Sequence, residues 1–442
     1  MKDRTDRTDG ADRADRPGKA EPAAVPAAGS DTLQRAVLVS VDIGAYDAEV
    51  SLAELSELAR TAGAEVLATV SQKRQGYDRA TLIGSGRLEE IKEFAEANEA
   101  NLLIFDHELS ASQIRNIADK VGEGVAVIDR TMLILDIFAK RAHTHEGRLQ
   151  VELAQLRYRL PRLAGQGKAL SRLGGGIGTR GPGETKLESD RRHIRRRIEA
   201  LEAQLAKLEN HRKHLRARRK KDEVTTVAIV GYTNVGKSTL LNTLTDAGVL
   251  AEDMLFATLD PTARALALPD GRQVMLIDTV GLVRRLPHQL VRAFHSTLEE
   301  AALADLLLVL CDISSPDAEE QIAVTKDVMR ELGVTDTPML TVLNQSDKTE
   351  YLAAAEELHG DVLISAKTGQ GLEALLAKIA EALPPTHTEM TLLLPYRESG
   401  LLAEIRGTGK ILSEAYEEDG TRVTALVDHR IRHKAEPYRV RK

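Results

Sequence analysis

Tryptophan is absent from this sequence, and all aromatic residues together make up only 3% of it. Its hydrophobic cores must therefore be aliphatic, and base stacking is not expected to dominate any contact with single-stranded nucleic acid. The single cysteine, Cys311, has no disulfide partner and lies in an apolar run typical of a buried strand, which fits a reducing cytosol. No apolar run reaches the roughly 20 residues of a membrane helix, and no secretory pattern opens the chain. These shortages predict a cytoplasmic protein that does not enter a membrane.

The length of 442 residues exceeds what one hydrophobic core usually organises, so we expect several domains. Residues 1–31 repeat Arg-Thr-Asp and Arg-Ala-Asp, then become rich in Ala and Pro, and are predicted to be a disordered tail. Residues 32–139 alternate short apolar strands with helical stretches, which predicts a small parallel α/β subdomain. The glycine turn from Ile83 to Arg87 opens a helix there and could receive a phosphate, but such a turn is far more often merely a turn.

The net charge of −7 conceals a strongly basic segment. Residues 140–221 hold 23 Lys or Arg and 8 Asp or Glu, a surplus of 15 positive charges that leaves −22 for the rest of the chain. Such a surplus is typical of proteins with a polyanionic partner, because neutralising phosphates releases condensed counterions. A solvated helix face rich in Arg and Lys is the alternative.

Two long helical patterns fill this basic segment, with a glycine-rich loop between them. Leucines repeat at intervals of four, three and four from Leu149 to Leu160, and apolar residues from Ile194 to Leu208 follow a matching pattern. Matching seams predict an antiparallel helical hairpin over 140–222 with outward-pointing arginines. A rigid spacer whose charges serve solubility is the alternative. His143 and His145 point to different faces of a helix, which disfavours a metal site there.

A phosphate-loop pattern follows the apolar strand Val227–Val230. Residues 231–238 read Gly-Tyr-Thr-Asn-Val-Gly-Lys-Ser and lead into a helical run, which is the context that this motif requires. The glycines let successive amides face the phosphates, Lys237 meets the β- and γ-phosphates, and Ser238 ligates Mg²⁺. The motif therefore predicts a site for a magnesium-bound nucleoside triphosphate.

Two further elements follow in the order that a nucleotide switch requires. The strand Val274–Ile277 ends in Asp278-Thr-Val-Gly281, which places a carboxylate beside the metal and a glycine amide at the γ-phosphate. Between this element and the phosphate loop, Thr258 supplies a hydroxyl for the remaining Mg²⁺ position. Leu282 stands where many relatives of Ras carry the glutamine that orients the attacking water, so intrinsic hydrolysis should be slow.

The segments Asn344-Gln-Ser-Asp347 and Ser365-Ala-Lys367, each at the end of a strand, resemble the base-reading motifs of guanine-nucleotide proteins. The resemblance implies that the Asp347 carboxylate accepts two hydrogen bonds from guanine, an arrangement that adenine cannot match, and that the Ala366 amide meets O6. Gln345 replaces the usual lysine, whose aliphatic stem covers the base. We therefore expect weaker nucleotide affinity without a change of base.

The chain resembles an HflX-type GTPase over roughly residues 34–384. The segments that carry the resemblance are 129–136, 146–156, 174–188, 256–262 and 278–282. The resemblance implies a bacterial GTPase that binds the large ribosomal subunit, with the glycine-rich loop near the peptidyl-transferase centre, and that splits or rescues stalled ribosomes under heat or antibiotic stress. A basic hairpin suits folded rRNA, which is recognised by shape and phosphate. The expected RNA contacts are Gly174, Gly175, Gly176, Gly178, Arg180, Gly181, Gly183, Arg191, Arg192, Arg195 and Arg196.

Together these patterns predict a multidomain α/β protein. A Ras-like P-loop GTPase domain with a mostly parallel sheet is expected over 223–386, after the α/β subdomain and the hairpin, and a small C-terminal α/β domain of unknown role over 387–442. We expect a monomer, partly ribosome-associated, that uses Mg²⁺ as cofactor, converts GTP to GDP and has no DNA partner. Two alternatives remain: a slow-turnover ribosome-assembly factor, and a signalling switch for a protein partner.

The expected catalytic residues are Lys237, Thr258 and Gly281, and the expected Mg²⁺ ligands are Ser238, Thr258 and Asp278. Nucleotide contacts are expected from four loops, namely at Gly231, Tyr232, Thr233, Asn234, Val235, Gly236, Lys237, Ser238, Thr239, Phe256, Ala257, Thr258, Leu259, Asp260, Asp278, Thr279, Val280, Gly281, Asn344, Gln345, Ser346, Asp347, Ser365, Ala366 and Lys367.

Overall fold

The structure is a computed structural model that describes residues 33–122, 124–163, 182–221, 224–245, 255–256, 261–285, 295–384 and 387–440. The predicted tail at 1–31 and most of the glycine-rich loop lie outside these residues. The strands are β1 Gln34–Asp42, β2 Ala64–Lys73, β3 Leu102–Phe105, β4 Ala126–Asp129, β5 Thr226–Gly231, β6 Thr262–Ala267, β7 Gln273–Asp278, β8 Leu306–Asp312, β9 Met339–Asn344, β10 Val362–Leu363, β11 His387–Leu394, β12 Lys410–Glu417 and β13 Gly420–Asp428. The helices are α1 Ala48–Thr61, α2 Ser85–Ala97, α3 Ala111–Val121, α4 Arg130–Arg141, α5 His145–Arg162, α6 Pro182–Lys221, α7 Lys237–Thr245, α8 His295–Ala302, α9 Ala318–Glu331, α10 Leu352–Glu357, α11 Leu372–Ala382, α12 Ser399–Thr408 and α13 His429–Ala435.

The N-terminal domain is built on a four-stranded parallel sheet in the order β2-β1-β3-β4. β1 and β3 are buried almost throughout, as expected for parallel strands that are covered on both faces. The chain order reverses between β1 and β3, and in parallel sheets the crevice beyond the strand ends at such a point is the usual place for functional groups. Asp106 and His107, which follow β3, lie at this point.

The basic segment forms the predicted hairpin of α5 and α6. An apolar seam joins the two helices and contains, from the predicted pattern, Leu149, Leu153, Leu156, Ile198, Leu201, Leu205 and Leu208. Leu160 and Ile194, at the loop end, lie outside this cluster. Arg212 pairs with Glu146, and Arg157 pairs with Glu202. The later residue of α5 thus contacts the earlier residue of α6, which confirms the antiparallel arrangement.

The predicted GTPase domain has a six-stranded sheet in the order β10-β9-β8-β5-β7-β6, and only β6 runs antiparallel to its neighbour. The mostly parallel sheet predicted from the strand and helix alternation is therefore confirmed. β5 lies between β7 and β8, so the loop that follows it opens at the middle of the carboxyl edge. Cys311 is buried in β8, in the apolar strand expected for it.

The C-terminal domain is a three-stranded antiparallel sheet, β11-β13-β12, packed against α12 and α13. The sequence pattern does not predict β12, because it is an edge strand whose exposed positions carry charges and interrupt the apolar alternation.

The N-terminal and GTPase domains share one apolar core. Phe138 of α4 packs edge-on against Phe256, with ring centroids 4.6 Å apart and ring planes at 69°. Both rings are almost fully buried in a cluster that also contains residues of both domains' sheets. The two domains thus share one continuous apolar core.

Candidate nucleotide-binding site

The phosphate loop leaves the buried end of β5 and enters α7 at Lys237. Gly236 has a φ of +94°, and a Cβ atom there would lie 2.4 Å from Nδ2 of Asn344, so a side chain would strain the backbone and displace Asn344. Asn234 also adopts a left-handed conformation, with a φ of +64°. This backbone curl turns successive amides toward one side, which is the arrangement that binds phosphate oxygens.

Lys237 lies across the mouth of the phosphate loop. Its Nζ atom donates a hydrogen bond to the carbonyl oxygen of Tyr232 at 2.5 Å, and the residue is 7% exposed. Burial lowers the pKa of Lys237 to about 8, against the opposing effect of Asp278. A buried ammonium that lacks full charge compensation is a strong binding group for phosphate anions.

Ser238 and Asp278 meet at the end of β7. The Ser238 hydroxyl donates to Oδ2 of Asp278 at 2.7 Å, and the Thr279 hydroxyl fixes the turn by donating to the carbonyl oxygen of Ile229 at 2.7 Å. Octahedral Mg²⁺ takes oxygen ligands at about 2.05 Å, which places adjacent ligands about 2.9 Å apart. A hydroxyl and a carboxylate oxygen at the observed separation therefore fit two adjacent Mg²⁺ ligands.

Gly281 lies directly against the phosphate loop. A Cβ atom there would be 2.8 Å from Cα of Thr233 and 3.0 Å from Nζ of Lys237, so only glycine allows this approach. Backbone hydrogen bonds from Leu282 to Gly231, 3.0 Å, and from Thr233 to Leu282, 2.8 Å, join the two segments. The Leu282 side chain is apolar and 1% exposed, so it cannot orient a water molecule.

Asn344 connects the phosphate loop to both base-reading loops. Its Nδ2 atom donates to the carbonyl oxygen of Val235 at 2.8 Å, and its Oδ1 atom accepts from the Ala366 amide at 2.9 Å. The predicted contact of that amide with guanine O6 stays a prediction, since the amide is directed at Asn344 in this structure.

Asp347 is exposed at the end of this segment, with a carboxylate open to a ligand. The Ser365 hydroxyl donates to its Oδ1 atom at 2.7 Å, and this hydrogen bond is the main cause that lowers the pKa of Asp347. The carboxylate is therefore ionised at neutral pH and able to accept hydrogen bonds.

The side chain of Gln345 is fixed by a hydrogen bond to Asp312, the last residue of β8. Its Nε2 atom donates to Oδ2 of Asp312 at 2.5 Å, and its backbone has a φ of +71°. Lys348 donates to the hydroxyl of Ser314 at 2.7 Å beside it. The position that usually carries a lysine is thus occupied by an amide tied to a carboxylate.

The structure brings most of the predicted nucleotide-contacting residues to the carboxyl edge of one sheet. They lie in segments 231–239, 278–281, 344–347 and 365–367. Ala257, Thr258, Leu259 and Asp260 lie outside the described residues.

The predicted nucleotide contact at Phe256 needs a correction. Its ring is buried against Phe138 rather than turned toward the nucleotide loops, because it fills the apolar core between domains. The side chain of Tyr232 is also buried. Both aromatic side chains are therefore part of the apolar core.

The predicted RNA-binding residues are described only in part. Gly174, Gly175, Gly176, Gly178, Arg180 and Gly181 lie outside the described residues. Gly183, predicted to lie in the loop, belongs instead to the first turn of α6, which begins at Pro182, a residue suited to the first position of a helix.

The arginines of α6 differ in exposure. Arg192, Arg195 and Arg196 are exposed, whereas Arg191 is half-buried. Arg197 forms a two-point ion pair with Glu152 of α5, with both distances 2.7 Å, so its charge serves the hairpin itself.

Two other sequence features have partners within the protein. The Gly84 amide donates to Oε1 of Gln72 at 2.8 Å, so this part of the glycine turn is satisfied within the domain. Glu146, next to His145, pairs with Arg212. The described part of the chain contains no group of three or more His, Cys, Asp or Glu side chains that could hold a metal ion, and no helix in it is long and apolar enough to cross a membrane.

Sequence reasoning missed the groups that support the site from other parts of the chain. Asp312, which holds Gln345, and Glu54 of α1, whose Oε1 atom accepts a hydrogen bond from the Arg284 amide at 3.1 Å, carry no motif. Only the fold brings them to the site.

A phosphate loop on a mostly parallel sheet, with the predicted metal-ligand pair and the predicted base-reading motif at the same edge, is the arrangement of a P-loop GTPase. Family profiles described as GTP-binding GTPase N-terminal, GTP-binding GTPase Middle Region and 50S ribosome-binding GTPase match residues 49–139, 141–219 and 226–345. The chain belongs to the HflX family of GTPases, and it hydrolyses GTP.

Similar proteins cover nearly the whole chain. GTPase HflX of Caldanaerobacter subterraneus subsp. tengcongensis is 52% identical over 401 residues, which are 91% of this chain and 92% of that protein. GTPase HflX of Escherichia coli is 41% identical over 88% of this chain and 92% of that protein. A GTP-binding protein of Sulfolobus solfataricus, solved in complex with GDP, is 26% identical over 79% of this chain and 98% of that chain, with a TM-score of 0.43.

Proposed function

We propose that the GTP-bound form of this protein binds the large ribosomal subunit through its basic hairpin, hydrolyses GTP there and leaves in the GDP form. In the cell this cycle would split or rescue stalled ribosomes. The protein would act as a cytoplasmic monomer that is partly ribosome-associated. The observation that carries the proposal is the exposed arginine face of α6, in a chain whose GTPase domain matches a ribosome-binding GTPase profile.

The exposed arginines have a position suited to an RNA backbone. Arg192, Arg195 and Arg196 follow each other at helical spacing and point away from the apolar seam that joins the two helices. Arg157 and Arg197 instead pair with glutamates across the hairpin. The hairpin therefore carries two kinds of arginine, one that holds the helices together and one that is available to phosphates.

Magnesium would be held by Ser238 and Asp278, with Thr258 as the expected third protein ligand. When bound, Mg²⁺ neutralises charge on the β- and γ-phosphate oxygens. The γ-phosphate would meet Lys237 and the Gly281 amide, so the loops around Thr258 and Gly281 would bind it together only in the GTP state. Nucleotide state would thereby control ribosome binding.

Intrinsic hydrolysis would be slow, because the buried leucine at 282 cannot position water. The ribosome would complete the site and stimulate turnover. Multiple-turnover phosphate release with and without large subunits tests this, and equal rates would remove stimulation from the proposal. Negligible turnover in both conditions would favour the assembly-factor alternative.

Co-sedimentation with large subunits tests the proposed partner. We expect binding with GTP or a non-hydrolysable analogue and release with GDP. The double substitution R195Q/R196Q should weaken binding and reduce the slope of log affinity against log salt by about one unit for each phosphate that is no longer neutralised.

The matched control is R157Q/R197Q, which removes the same charge from the same hairpin at positions that are already ion-paired. Its salt slope should stay close to that of the unsubstituted protein. Equal weakening in both double variants, with the helix content of both unchanged, would indicate that only total charge matters. Absence of the chain from ribosomal fractions of a lysate gradient would favour the signalling-switch alternative.

A further inference from the structure

The predicted base-reading segment contains a turn, residues 345–348, whose two ends meet. The amide of Lys348 donates a hydrogen bond to the carbonyl oxygen of Gln345 at 3.0 Å, so the chain reverses its direction across these four residues. Asp347, the predicted guanine-reading residue, is the third residue of this turn and is exposed. The direction of its side chain therefore depends on how both ends of the turn are held.

Side chains from both ends of the turn reach the end of β8. Gln345 donates from Nε2 to Oδ2 of Asp312 at 2.5 Å, and Lys348 donates from Nζ to Oγ of Ser314 at 2.7 Å. Ser314 donates to Oδ1 of Asp312, from its hydroxyl at 2.6 Å and from its amide at 2.7 Å. Together with the backbone hydrogen bond of the turn, these contacts form a closed ring.

The ring contains one carboxylate and one ammonium, and all four of its residues are half-buried. Asp312 forms no direct ion pair with any residue that the structure describes, and Gln345 offers it only a neutral amide. One hydroxyl, that of Ser314, lies between Asp312 and the ammonium of Lys348. Because a partly buried carboxylate is unfavourable without a nearby positive charge, Lys348 is the group that compensates Asp312.

The other side of the turn is held by the second base-reading loop. The Ser346 amide donates to the carbonyl oxygen of Ile364 at 3.0 Å, and the Ser365 hydroxyl donates to Oδ1 of Asp347 at 2.7 Å. The latter hydrogen bond is the main cause that lowers the pKa of Asp347, and the charge of Lys348 adds to this effect. Lys348 is thus placed to affect both the direction and the ionisation of the Asp347 carboxylate.

We propose that Lys348 is a positioning residue for guanine recognition, which supplies the positive charge beside Asp312 that Gln345 lacks and thereby directs Asp347 at the base. A lysine at 345 would reach Asp312 directly, because Gln345 already does. Positions 345 and 348 are therefore alternative sources of one charge. The proposal rests on the predicted contact of Asp347 with guanine and is independent of ribosome binding.

The test is calorimetric titration of the full-length protein with GDP and with inosine diphosphate (IDP), whose base lacks the 2-amino group. K348Q keeps a hydrogen-bond donor but removes the charge. It should raise the Kd for GDP about tenfold and that for IDP about threefold or less, because GDP makes one more hydrogen bond to Asp347. K348R keeps the charge and should stay within about threefold of the unsubstituted protein. S314A, which removes the hydroxyl between Lys348 and Asp312, should weaken GDP binding as K348Q does.

A double-substitution cycle tests whether positions 345 and 348 exchange roles. Q345K should improve GDP affinity by at least about threefold more in the K348Q background than in the unsubstituted protein, because only there does the new ammonium replace a missing one.

The matched control is K378Q, which removes an exposed lysine of the same domain and so lowers the long-range attraction for an anionic nucleotide in a similar way. It should leave the Kd values for GDP and IDP within about twofold of those of the unsubstituted protein.

Hydrogen exchange separates positioning from unfolding. In K348Q the amide of residue 348 should lose protection, while the amides of β8 and β9 keep theirs. The proposal is overturned if K348Q or S314A binds GDP normally, if K348Q weakens GDP and IDP equally, if K378Q weakens binding as much as K348Q does, if Q345K gains equally in both backgrounds, or if β8 and β9 lose protection.

The unsubstituted protein provides the remaining control. Equal affinity for GDP and IDP would refute the Asp347 contact on which the proposal rests. All of these measurements are made without ribosomes, so their failure is distinguished from failure of the proposed ribosome binding, which co-sedimentation tests.

Discussion

The hydroxyl of Ser238 donates a hydrogen bond of 2.7 Å to the Asp278 carboxylate, although the two residues are 40 positions apart. The two residues come close together because β5 and β7 are parallel neighbours and the loops that follow them lie at the same edge of the sheet. A carboxylate and a hydroxyl at this spacing are the oxygen donors that Mg²⁺ prefers. The pair is therefore the part of the fold on which the proposed Mg²⁺ dependence of nucleotide binding rests.

Substitution S238A should remove most of the magnesium dependence of GTP binding. The unsubstituted protein should bind GTP at least about tenfold more tightly with Mg²⁺ than with EDTA, whereas S238A should show a difference of about threefold or less, because one ligand of the metal is removed. Titration of a fluorescent GTP analogue measures both. T335A, which removes an exposed hydroxyl elsewhere in the domain, should behave normally. A full magnesium effect in S238A would contradict the assignment.

Substitution D347N should change the base preference from guanine to xanthine. In the predicted complex the carboxylate accepts from guanine N1 and the 2-amino group. An asparagine amide cannot accept both hydrogen bonds, but it can donate to the 2-oxo group of xanthine. We expect GTP affinity to fall about 100-fold and XTP affinity to rise, since two charge-assisted hydrogen bonds are affected. Competition binding with GTP and XTP measures the change. An XTP affinity equal to that of the unsubstituted protein would show that Asp347 does not contact the base.

Substitution Q345K should tighten nucleotide binding. A lysine at 345 can direct its ammonium to Asp312, which Gln345 already contacts at 2.5 Å, and its aliphatic stem would cover more of the base. We expect the Kd for GDP to fall about three- to tenfold, equivalent to about 1 kcal/mol. Q345A, which removes the stem, should weaken binding. A Kd for Q345K equal to or above that of the unsubstituted protein would contradict a role of residue 345 in covering the base.

The order of strands and loops around the nucleotide could be predicted because it depends on local patterns. The apolar strand before Gly231 and the polar residues after it are read from a few neighbouring positions, and their chemistry restricts what they bind. The seam between Leu149 and Leu208 was predictable for the same reason, because a repeat in each helix identifies the partner face. The fold class and the GTPase activity follow from such patterns.

The support of the site could not be predicted in this way. Glu54 lies 230 positions from Arg284, and nothing in the sequence around either residue indicates the other. Phe256 lies in a segment whose other residues are expected to face the nucleotide. Its ring instead packs against Phe138 in the apolar core that the two domains share. Contacts of this kind depend on how domains pack, which periodicity and motif spacing do not describe.

His107 should make the protein less stable in mild acid. Its Nε2 atom lies 3.1 Å from both the amide nitrogen and the carbonyl oxygen of Val41, so its donor or acceptor role depends on the tautomer. Burial lowers the pKa of His107, and Arg285 and Arg130 add to this effect, whereas Asp106 and the hydrogen bond to the Val41 backbone oppose it. The unfolded chain, with a histidine pKa near about 6.5, therefore binds a proton more readily than the folded chain.

The stability contribution of neutral His107 is complete above about pH 6.5 and is lost as the pH falls from there toward the lowered pKa of the folded state, by up to about 1.4 kcal/mol per pH unit. H107Q keeps an acceptor without a titrating ring, so it should lose less stability between about pH 7.5 and 5.5. Denaturant unfolding of the full-length protein, monitored by hydrogen exchange of the backbone amides of β1 and β3, measures this difference. H359Q, which removes an exposed histidine of the GTPase domain, should show the same acid loss as the unsubstituted protein. Equal acid losses in all three proteins would mean that His107 titrates alike in the folded and unfolded chains, because a group without a pKa difference adds no pH dependence to folding.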